Sequence, residues 1–217
     1  MSNANMVHVP QKLYTYNELQ DDIKTKVLKD HEAKACEYDD WYADIYDTTR
    51  RELLDKGIDI DDVPRSASCG IRFTGFHSQG DGASFTGWVN LKEFLEAHKE
   101  ILLRVPELYH MLGTVGQEPL VEIECSLTRV ANRYYHEKTV EFMWDIAWVD
   151  DSLDWVEGEP NTVGDLMNLV EVDIENTCRQ YMKDVYAKLR EEYDYLLSEQ
   201  CLIDNDLRYT ADGEEVW

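Results

Sequence analysis

The sequence predicts an α+β fold in which a four-stranded antiparallel sheet, built from two hairpins, carries helices on one face. Apolar residues alternate with polar residues in "LVEIECSLTR" and again in "TVEFMWDIAW", as expected for strands with one wet face. Apolar residues also recur at three- and four-residue steps from about Val163 to Leu197, which predicts a long C-terminal helix. We expect the apolar stripe of this helix to be buried against the apolar face of the sheet.

Shorter helices are predicted before and between the strands. Thr15 and Glu18 have the spacing of a capping box, so the first helix is expected to begin at Thr15. A second helix is predicted from about Asp40 to Lys56, and Gly57 is its expected C-terminal stop. Two more helices are predicted between the hairpins, one over about Leu91–Leu103 and a shorter one after Pro106.

The segment "GFHSQGDGASFTGW" is predicted to be the turn of the first hairpin. The tripeptide Phe-Thr-Gly stands on each arm, at 73–75 and 85–87, and Gly80-Asp81-Gly82 between them tolerates positive φ. The two arm glycines indicate a bulge, or a place where another backbone or an aromatic ring packs closely. The second hairpin is expected to turn near Asn132-Arg133, so the two turns approach each other if the hairpins are neighbours.

The predicted organisation is a flexible N-terminus over 1–14, one α+β domain over 15–200, and a tail or short appended strand over 201–217. No apolar run approaches the roughly 18 residues of a membrane span, and the N-terminus resembles no secretory signal. The expected location is therefore the cytoplasm, with no membrane partner.

Net charge is the strongest global property of the sequence. Lys and Arg number 21 against 45 Asp and Glu, so the chain carries −24. This charge repels nucleic acid, which we therefore do not expect to bind directly. Two interpretations remain open: the charge keeps the protein soluble, or it imitates a phosphate backbone and occupies a basic site on another protein. The acidic loop after the last strand holds the residues proposed for partner binding, namely Asp150, Asp151, Asp154, Trp155, Glu157 and Glu159.

The five cysteines are odd in number, widely spaced and without a CxxC pair. A structural zinc site or a disulfide scaffold would need clustered or evenly paired cysteines, so we predict reduced, mostly buried thiols. No metal site and no cofactor are predicted.

The first hairpin turn also contains residue types that are used in catalysis and binding. A binding loop and a catalytic loop are alternatives to a purely structural turn, although the order of residues matches no G-x-S-x-G or phosphate-binding motif. The candidate residues are His77, Ser78, Gln79, Asp81 and Ser84.

A second candidate site is the polar face of the two long strands, where four carboxylates are expected to cluster. This carboxylate face has three interpretations: a solvated surface, a docking surface for lysine and arginine, or a metal or acid–base site. Its residues are Glu122, Glu124, Glu141 and Asp145. Six tryptophans and thirteen tyrosines exceed what a small core needs, so some are expected at the surface as interface anchors.

Several segments together resemble one family of proteins. "YTYNELQDDIKTKVL", "FTGFHSQGDGASFTG", "YYHEKTVEF" and "LREEYDYLLSEQ", in this order, resemble small accessory proteins of bacteriophages and prophages with a GFxSQGDGAxFxG hairpin. The region from Leu91 to Leu120 and the acidic loop after Trp148 match this pattern less well. The resemblance implies a phage or mobile-element protein and supplies no activity, so no functional residue is carried over from it.

These observations predict a non-enzymatic, phage-encoded protein that acts in the host cytoplasm as a monomer or homodimer. It would inhibit or redirect a host protein with a basic surface, such as a defence factor or a nucleic-acid-handling protein, by nucleic-acid mimicry. The alternative is a small-ligand-binding protein or hydrolase that uses the "HSQGDGAS" hairpin. A third interpretation is a minor structural or assembly protein of the virion.

Overall fold

The computed structural model describes residues 12–35, 40–61, 70–113, 117–130, 133–149 and 163–216. The chain divides into two compact units, one formed by Met1–Tyr42 with Arg190–Trp217 and the other by Ala43–Leu189. The sequence predicts different boundaries, at residues 14 and 200, and that division stays a prediction. None of the helices that the structure describes is long and apolar enough to cross a lipid bilayer.

The helices and strands of the described residues follow one another along the chain in a mixed order. They are β1 (Tyr14–Thr15), α1 (Asp21–Lys34), α2 (Ala43–Leu54), β2 (Ile58–Ile60), β3 (Arg72–Phe73), β4 (Ala83–Ser84), β5 (Gly87–Asn90), α3 (Leu91–Ala97), α4 (Lys99–Leu102), α5 (Pro106–Met111), β6 (Val121–Arg129), β7 (Val140–Trp148), α6 (Val163–Asn168), α7 (Glu171–Leu196), α8 (Glu199–Asp204), β8 (Arg208–Tyr209) and β9 (Glu215–Val216).

The first unit joins the two ends of the chain through a small antiparallel sheet in the order β1-β8-β9. Its core is a cluster of buried side chains from both ends of the chain: Tyr16, Leu19, Val27, Leu202 and Tyr209. Residues 201–217, predicted to be a tail or a short strand, therefore contribute a helix end, two strands and part of a core.

The first helix begins later than the sequence predicts. The Glu18 carboxylate accepts the backbone N–H of Thr15 at 2.8 Å, which holds the pKa of Glu18 below its usual value. However, Tyr16–Glu18 form only a single 3-10 turn, and Leu19 and Gln20 are extended, with ψ of 156° and 154°. The extended residues interrupt the hydrogen bonding of the turn, so α1 starts at Asp21.

The second unit contains the predicted four-stranded antiparallel sheet, in the order β2-β5-β6-β7. Alternate residues of β6 are buried on the inner face, namely Val121, Ile123, Cys125 and Leu127. The α+β class, the four-stranded antiparallel sheet and the long C-terminal helix are confirmed.

The strands that build this sheet differ from those predicted. β6 and β7 form one hairpin of nine residue pairs, but β3 and β4 form a separate two-stranded ribbon, and β2 takes the remaining place beside β5. Thr86, between β4 and β5, explains the change. Its hydroxyl donates to the Asp61 carboxylate at 2.7 Å and accepts the N–H of Gly70 at 2.8 Å, while its carbonyl accepts the N–H of Asp61. These bonds direct β5 toward the segment that contains β2.

The long C-terminal helix is interrupted once, between α6 and α7. The N–H groups of Leu169 and Val170 bond to carbonyl oxygens three residues earlier, which tightens the chain at this point. Beyond it, α7 buries one stripe at the predicted three- and four-residue spacing: Ile174, Cys178, Met182, Val185 and Leu189. The helix predicted over 91–103 is likewise divided at His98, whose Nδ1 lies 2.8 Å from the Phe94 carbonyl oxygen.

Candidate functional site

The outward-pointing side chains of the four-stranded sheet form one surface, which we call the outer face. The strand register places Asp59, Trp88, Ser126 and Met143 in one row across all four strands. The neighbouring rows complete it with Asn90, Glu122, Glu124, Thr128, Glu141, Asp145 and Ala147. Directly opposed residues of antiparallel strands point to the same side, so these eleven positions share one surface.

The centre of the outer face is apolar and open. Trp88 is 51% exposed and Met143 is 59% exposed, although both lie within paired strands. Only Ser126 separates them in their row, which places the two side chains about 10 Å apart. An exposed indole beside an exposed thioether is unusual in a solvated sheet and typical of a binding surface.

The surroundings of this apolar centre are acidic. Of the eleven positions of the outer face, five are carboxylates and none is Lys or Arg. Glu124 stands directly opposite Asp145, an arrangement of like charges that destabilises a sheet. None of the five carboxylates forms an ion pair within the described part of the chain. Their negative charge is therefore available to a cationic partner.

A groove of about 710 Å³ runs along the same face beside β5 and β6. Trp88, Asn90, Glu122 and Glu124 line it, so it continues the outer face rather than forming a separate cavity. Lys92, at the start of α3, is a basic residue of its lining. The groove therefore adds to the surface next to Trp88 that a partner could contact.

The outer face contains all four residues of the carboxylate face that the sequence singles out. Within the described ranges, however, no three His, Cys, Asp or Glu side chains come close enough together to hold a metal ion. The arrangement spreads the carboxylates along two strands, which suits contact with several basic side chains better than coordination of one cation.

The contacts of the first hairpin are those of a structural turn. The Asp81 carboxylate accepts the backbone N–H groups of His77 and Ser78, at 2.9 and 2.6 Å, and β3 pairs with β4 on either side. Ser84 is fully buried, and its hydroxyl accepts a hydrogen bond from Arg129 at 3.2 Å, so it is not accessible as a nucleophile. His77, Ser78 and Gln79 are exposed. The predicted turn is confirmed, and a binding role for its residues stays a prediction.

The first hairpin turn packs against the connection between β6 and β7. A Cβ atom on Gly82 would lie 2.5 Å from the Cβ atom of His136, and one on Gly80 would meet the ring of Tyr134 at 3.5 Å. The Nδ1 atom of His136 accepts the N–H of Lys138, so this histidine caps its own 3-10 turn. The two turns lie next to each other, the arrangement expected if the hairpins are neighbours. Gly80 and Gly82 make the contact, against the ring of Tyr134 and the backbone of His136.

Three of the five cysteines can be placed, and all three are buried free thiols: Cys125, Cys178 and Cys201. Burial raises the pKa of Cys125 to about 12, with a smaller contribution from the charge of Glu175, and burial also raises the pKa of Cys178. Thiols in this state are packing groups rather than nucleophiles.

The residues proposed for partner binding in the acidic loop, 150–159, lie outside the described residues, and so do Cys36 and Cys69. Seven of the eleven members of the outer face are missing from the sequence-based candidates, and they include Asp59, Trp88 and Met143. The alternation in "ASFTGWVN" places Trp88 on the other side of the strand from Phe85 and Gly87. However, the sequence does not predict β2, so nothing in it indicates that β5 has a neighbour on both sides.

Residues 41–199 match a family model described as "Domain of unknown function (DUF8835)", which covers well over half of the chain. The chain belongs to this family. No curated protein and no solved structure gives a significant match. The DUF8835 span includes all four strands of the outer face and excludes β1, β8 and β9 of the small sheet. The outer face is thus a feature of the DUF8835 region itself.

Proposed function

We propose that this chain is a binding protein of bacteriophage or prophage origin that holds a basic surface of a host protein on its outer face. One observation carries the proposal: Trp88 and Met143 are exposed in one row of the outer face, whose eleven positions include five carboxylates and no Lys or Arg. Apolar anchors at the centre of a charged rim are the usual composition of a protein-binding surface.

The charge of the chain supports a basic partner. At −24 the protein attracts cationic surfaces over long distances and repels nucleic acid, so a host factor that itself binds nucleic acid is a suitable target. Occupying the phosphate-binding surface of such a factor would inhibit or redirect it. The acidic loop at 150–159 would extend the same charge, and its role stays a prediction.

The test compares capture of host proteins by the wild-type chain and by a variant with a neutral outer face. Glu124→Gln/Asp145→Asn removes two charges without changing side-chain volume, and Glu32→Gln/Glu191→Gln removes two charges from exposed positions of the first unit as a matched control. Trp88→Ser removes the apolar anchor from an exposed position.

We expect one basic host protein to be retained by the wild type and by the control, and to elute as salt rises. Its affinity for the neutral-face variant and for Trp88→Ser should fall about tenfold or more, since central anchors dominate binding. Equal retention by all variants would show that the outer face is not the binding surface. Binding that does not respond to salt would contradict nucleic-acid mimicry.

A further inference from the structure

β7 is an edge strand of the four-stranded sheet. It is nine residues long and pairs along its full length with β6, and no strand of the described residues pairs with its other side. A long strand with one unpaired edge is a template for another strand, and proteins usually shorten, cover or charge such edges.

Two backbone hydrogen bonds at the ends of the hairpin show which groups of β7 face outward. The N–H of Val149 bonds to the oxygen of Leu120 at 3.2 Å, and the N–H of Val130 bonds to the oxygen of Thr139 at 2.9 Å. In an antiparallel pair, hydrogen-bonded residues alternate with residues whose N–H and C=O point away from the partner strand. The even-numbered residues of β7 therefore turn their N–H and C=O groups to the free edge.

The contact made by Val140 confirms this alternation. Its carbonyl oxygen, at an even-numbered position, faces away from β6 and accepts a hydrogen bond from Arg179 at 3.2 Å. The same backbone groups of Phe142, Trp144 and Ile146 have no backbone partner among the described residues. Together they present three donors and three acceptors, spread over about 14 Å of strand.

Two side chains beside this edge also lack part of the burial or hydrogen bonding expected on an inner face. Ile146 is 39% exposed although it lies on the inner face, and the indole N–H of Trp144 has no acceptor among the described residues. The edge is therefore apolar on the inner side, whereas Glu141 and Asp145 make it acidic on the outer side.

We propose that the free edge of β7 accepts an extended basic segment of the partner protein as a fifth, antiparallel strand of the sheet. This inference rests on the proposed function and specifies how the partner is held. Main-chain hydrogen bonds from Phe142, Trp144 and Ile146 would supply affinity, and the alternating side chains of β7 would select the sequence of the added strand.

The charges on β7 define that sequence. Residues of the added strand opposite Glu141 and Asp145 lie four positions apart on the outer side and should be Lys or Arg. The residue between them on that side faces Met143, and the two residues on the other side lie beside Phe142, Trp144 and Ile146. The preferred segment thus has basic residues at i and i+4 and apolar residues at the three positions between.

A second copy of this chain fits the edge less well. An antiparallel pair of β7 strands centred on Met143 opposes Glu141 to Asp145 of the second copy, which is a repulsion of like charges. A pair centred on Trp144 sets Asp145 opposite Met143 of the second copy and leaves every carboxylate uncompensated. Since each copy carries −24, charge complementarity favours a basic segment.

The experiment uses the whole chain and the synthetic peptide SKVVVKSG, whose lysines stand four positions apart. In the proposed register the first and third valines exchange hydrogen bonds with β7, whereas the N–H of the middle valine points away from it. N-methylation of the first valine should therefore weaken binding about tenfold or more, and N-methylation of the middle valine should leave it nearly unchanged. The two peptides carry the same charge and the same added methyl group.

Hydrogen exchange supplies a second measurement on the same samples. The amides of Phe142, Trp144 and Ile146 should exchange quickly in the free protein and slowly in the complex, while those of Met143 and Asp145 stay slow in both. Protection of all five amides in the free protein would overturn the inference. If the free protein also had the molecular mass of a dimer, the edge of β7 would be occupied by a second copy of the chain.

The outcomes separate the inference from the proposed function. Equal weakening by both N-methyl peptides, or no peptide binding at low salt, would overturn strand addition, even if the neutral-face variant still lost its host partner. Full capture of the host partner by the neutral-face variant would refute the proposed function, whatever the peptides do.

Discussion

Gly87 lies so close to Asp59 of the neighbouring strand that a Cβ atom on Gly87 would stand 2.0 Å from the Asp59 carbonyl oxygen. Gly87 also has φ of +153°, which L side chains rarely adopt. We therefore expect Gly87→Ala to lower the free energy of unfolding by about 3 kcal/mol or more, because β2 and β5 would have to separate. Urea unfolding followed by circular dichroism measures this loss.

The other Phe-Thr-Gly tripeptide provides the control. A Cβ atom on Gly75 would meet only the Asp81 carboxylate, at 3.5 Å, which is an ordinary contact. Gly75→Ala should change the free energy of unfolding by less than about 1 kcal/mol. If the two substitutions cost the same, the close approach of β2 and β5 is wrong.

A second prediction concerns Arg179, which joins α7 to the start of β7. Its guanidinium donates to the carbonyl oxygens of Glu137 and Val140 and lies 5.0 Å from the centre of the Phe142 ring. Arg179→Gln should lower the free energy of unfolding by about 1 to 3 kcal/mol, because charged hydrogen bonds to half-buried carbonyl groups are lost. The measurement is again urea unfolding.

Lys183, one turn further along α7, is the matched control for Arg179. Within the described ranges, its polar contact is an ion pair with Glu137 at 3.9 Å, and the Lys183 side chain is more than half exposed. Lys183→Gln should cost less than about 0.5 kcal/mol. A larger loss for Lys183→Gln than for Arg179→Gln would argue against the contacts described for α7 and β7.

A third prediction concerns alkaline pH. Folding raises the pKa of Cys125 to about 12 and raises that of Cys178, in both cases mainly through burial. The stability that these protonated thiols contribute is complete below the unfolded pKa of about 8.5 and is lost as pH rises above it. Each thiol should reduce the free energy of unfolding by up to about 1.4 kcal/mol per pH unit in that range.

The double variant Cys125→Ala/Cys178→Ala tests this dependence. It should be less stable at pH 7, since two buried side chains are shortened, but its stability should fall less steeply between pH 9 and pH 10.5, a range chosen to lie above the unfolded thiol pKa. Identical slopes for the wild type and the variant would mean that these thiols ionise as readily when folded as when unfolded.

A fourth prediction concerns acid. The N–H and hydroxyl of Thr15 lower the pKa of Glu18, so this carboxylate stabilises the N-terminal turn above its unfolded pKa of about 4.3. The contribution is lost as pH falls through the lower folded value. Glu18→Gln should speed exchange of the Thr15 amide at pH 7, and the difference from the wild type should be smaller at pH 3, where more of the Glu18 carboxyl is protonated. Glu32→Gln, at an exposed position of α1, should leave that amide unchanged at both values.

Local patterns were enough to predict the parts of the fold that depend on neighbours in the chain. Apolar residues alternate along β6 and β7 and form a stripe along α7, and these patterns indicate which side of each element is buried. Each pattern extends over at least nine residues. Glu122, Glu124, Glu141 and Asp145 could be placed on one face for the same reason, because the apolar alternation of each strand sets which residues point away from the core.

The remaining parts depend on contacts between distant segments. β2 has three residues, too few for a pattern, and it becomes a strand only because Thr86 and Gly87 hold β5 against it. The sequence by itself determined the fold class, the acidic charge and the carboxylates of the hairpin. Only the tertiary structure decided that Trp88 and Met143 share one row of the sheet and that, among the described strands, only β6 pairs with β7. Both follow from the order of strands, which long-range backbone pairing sets.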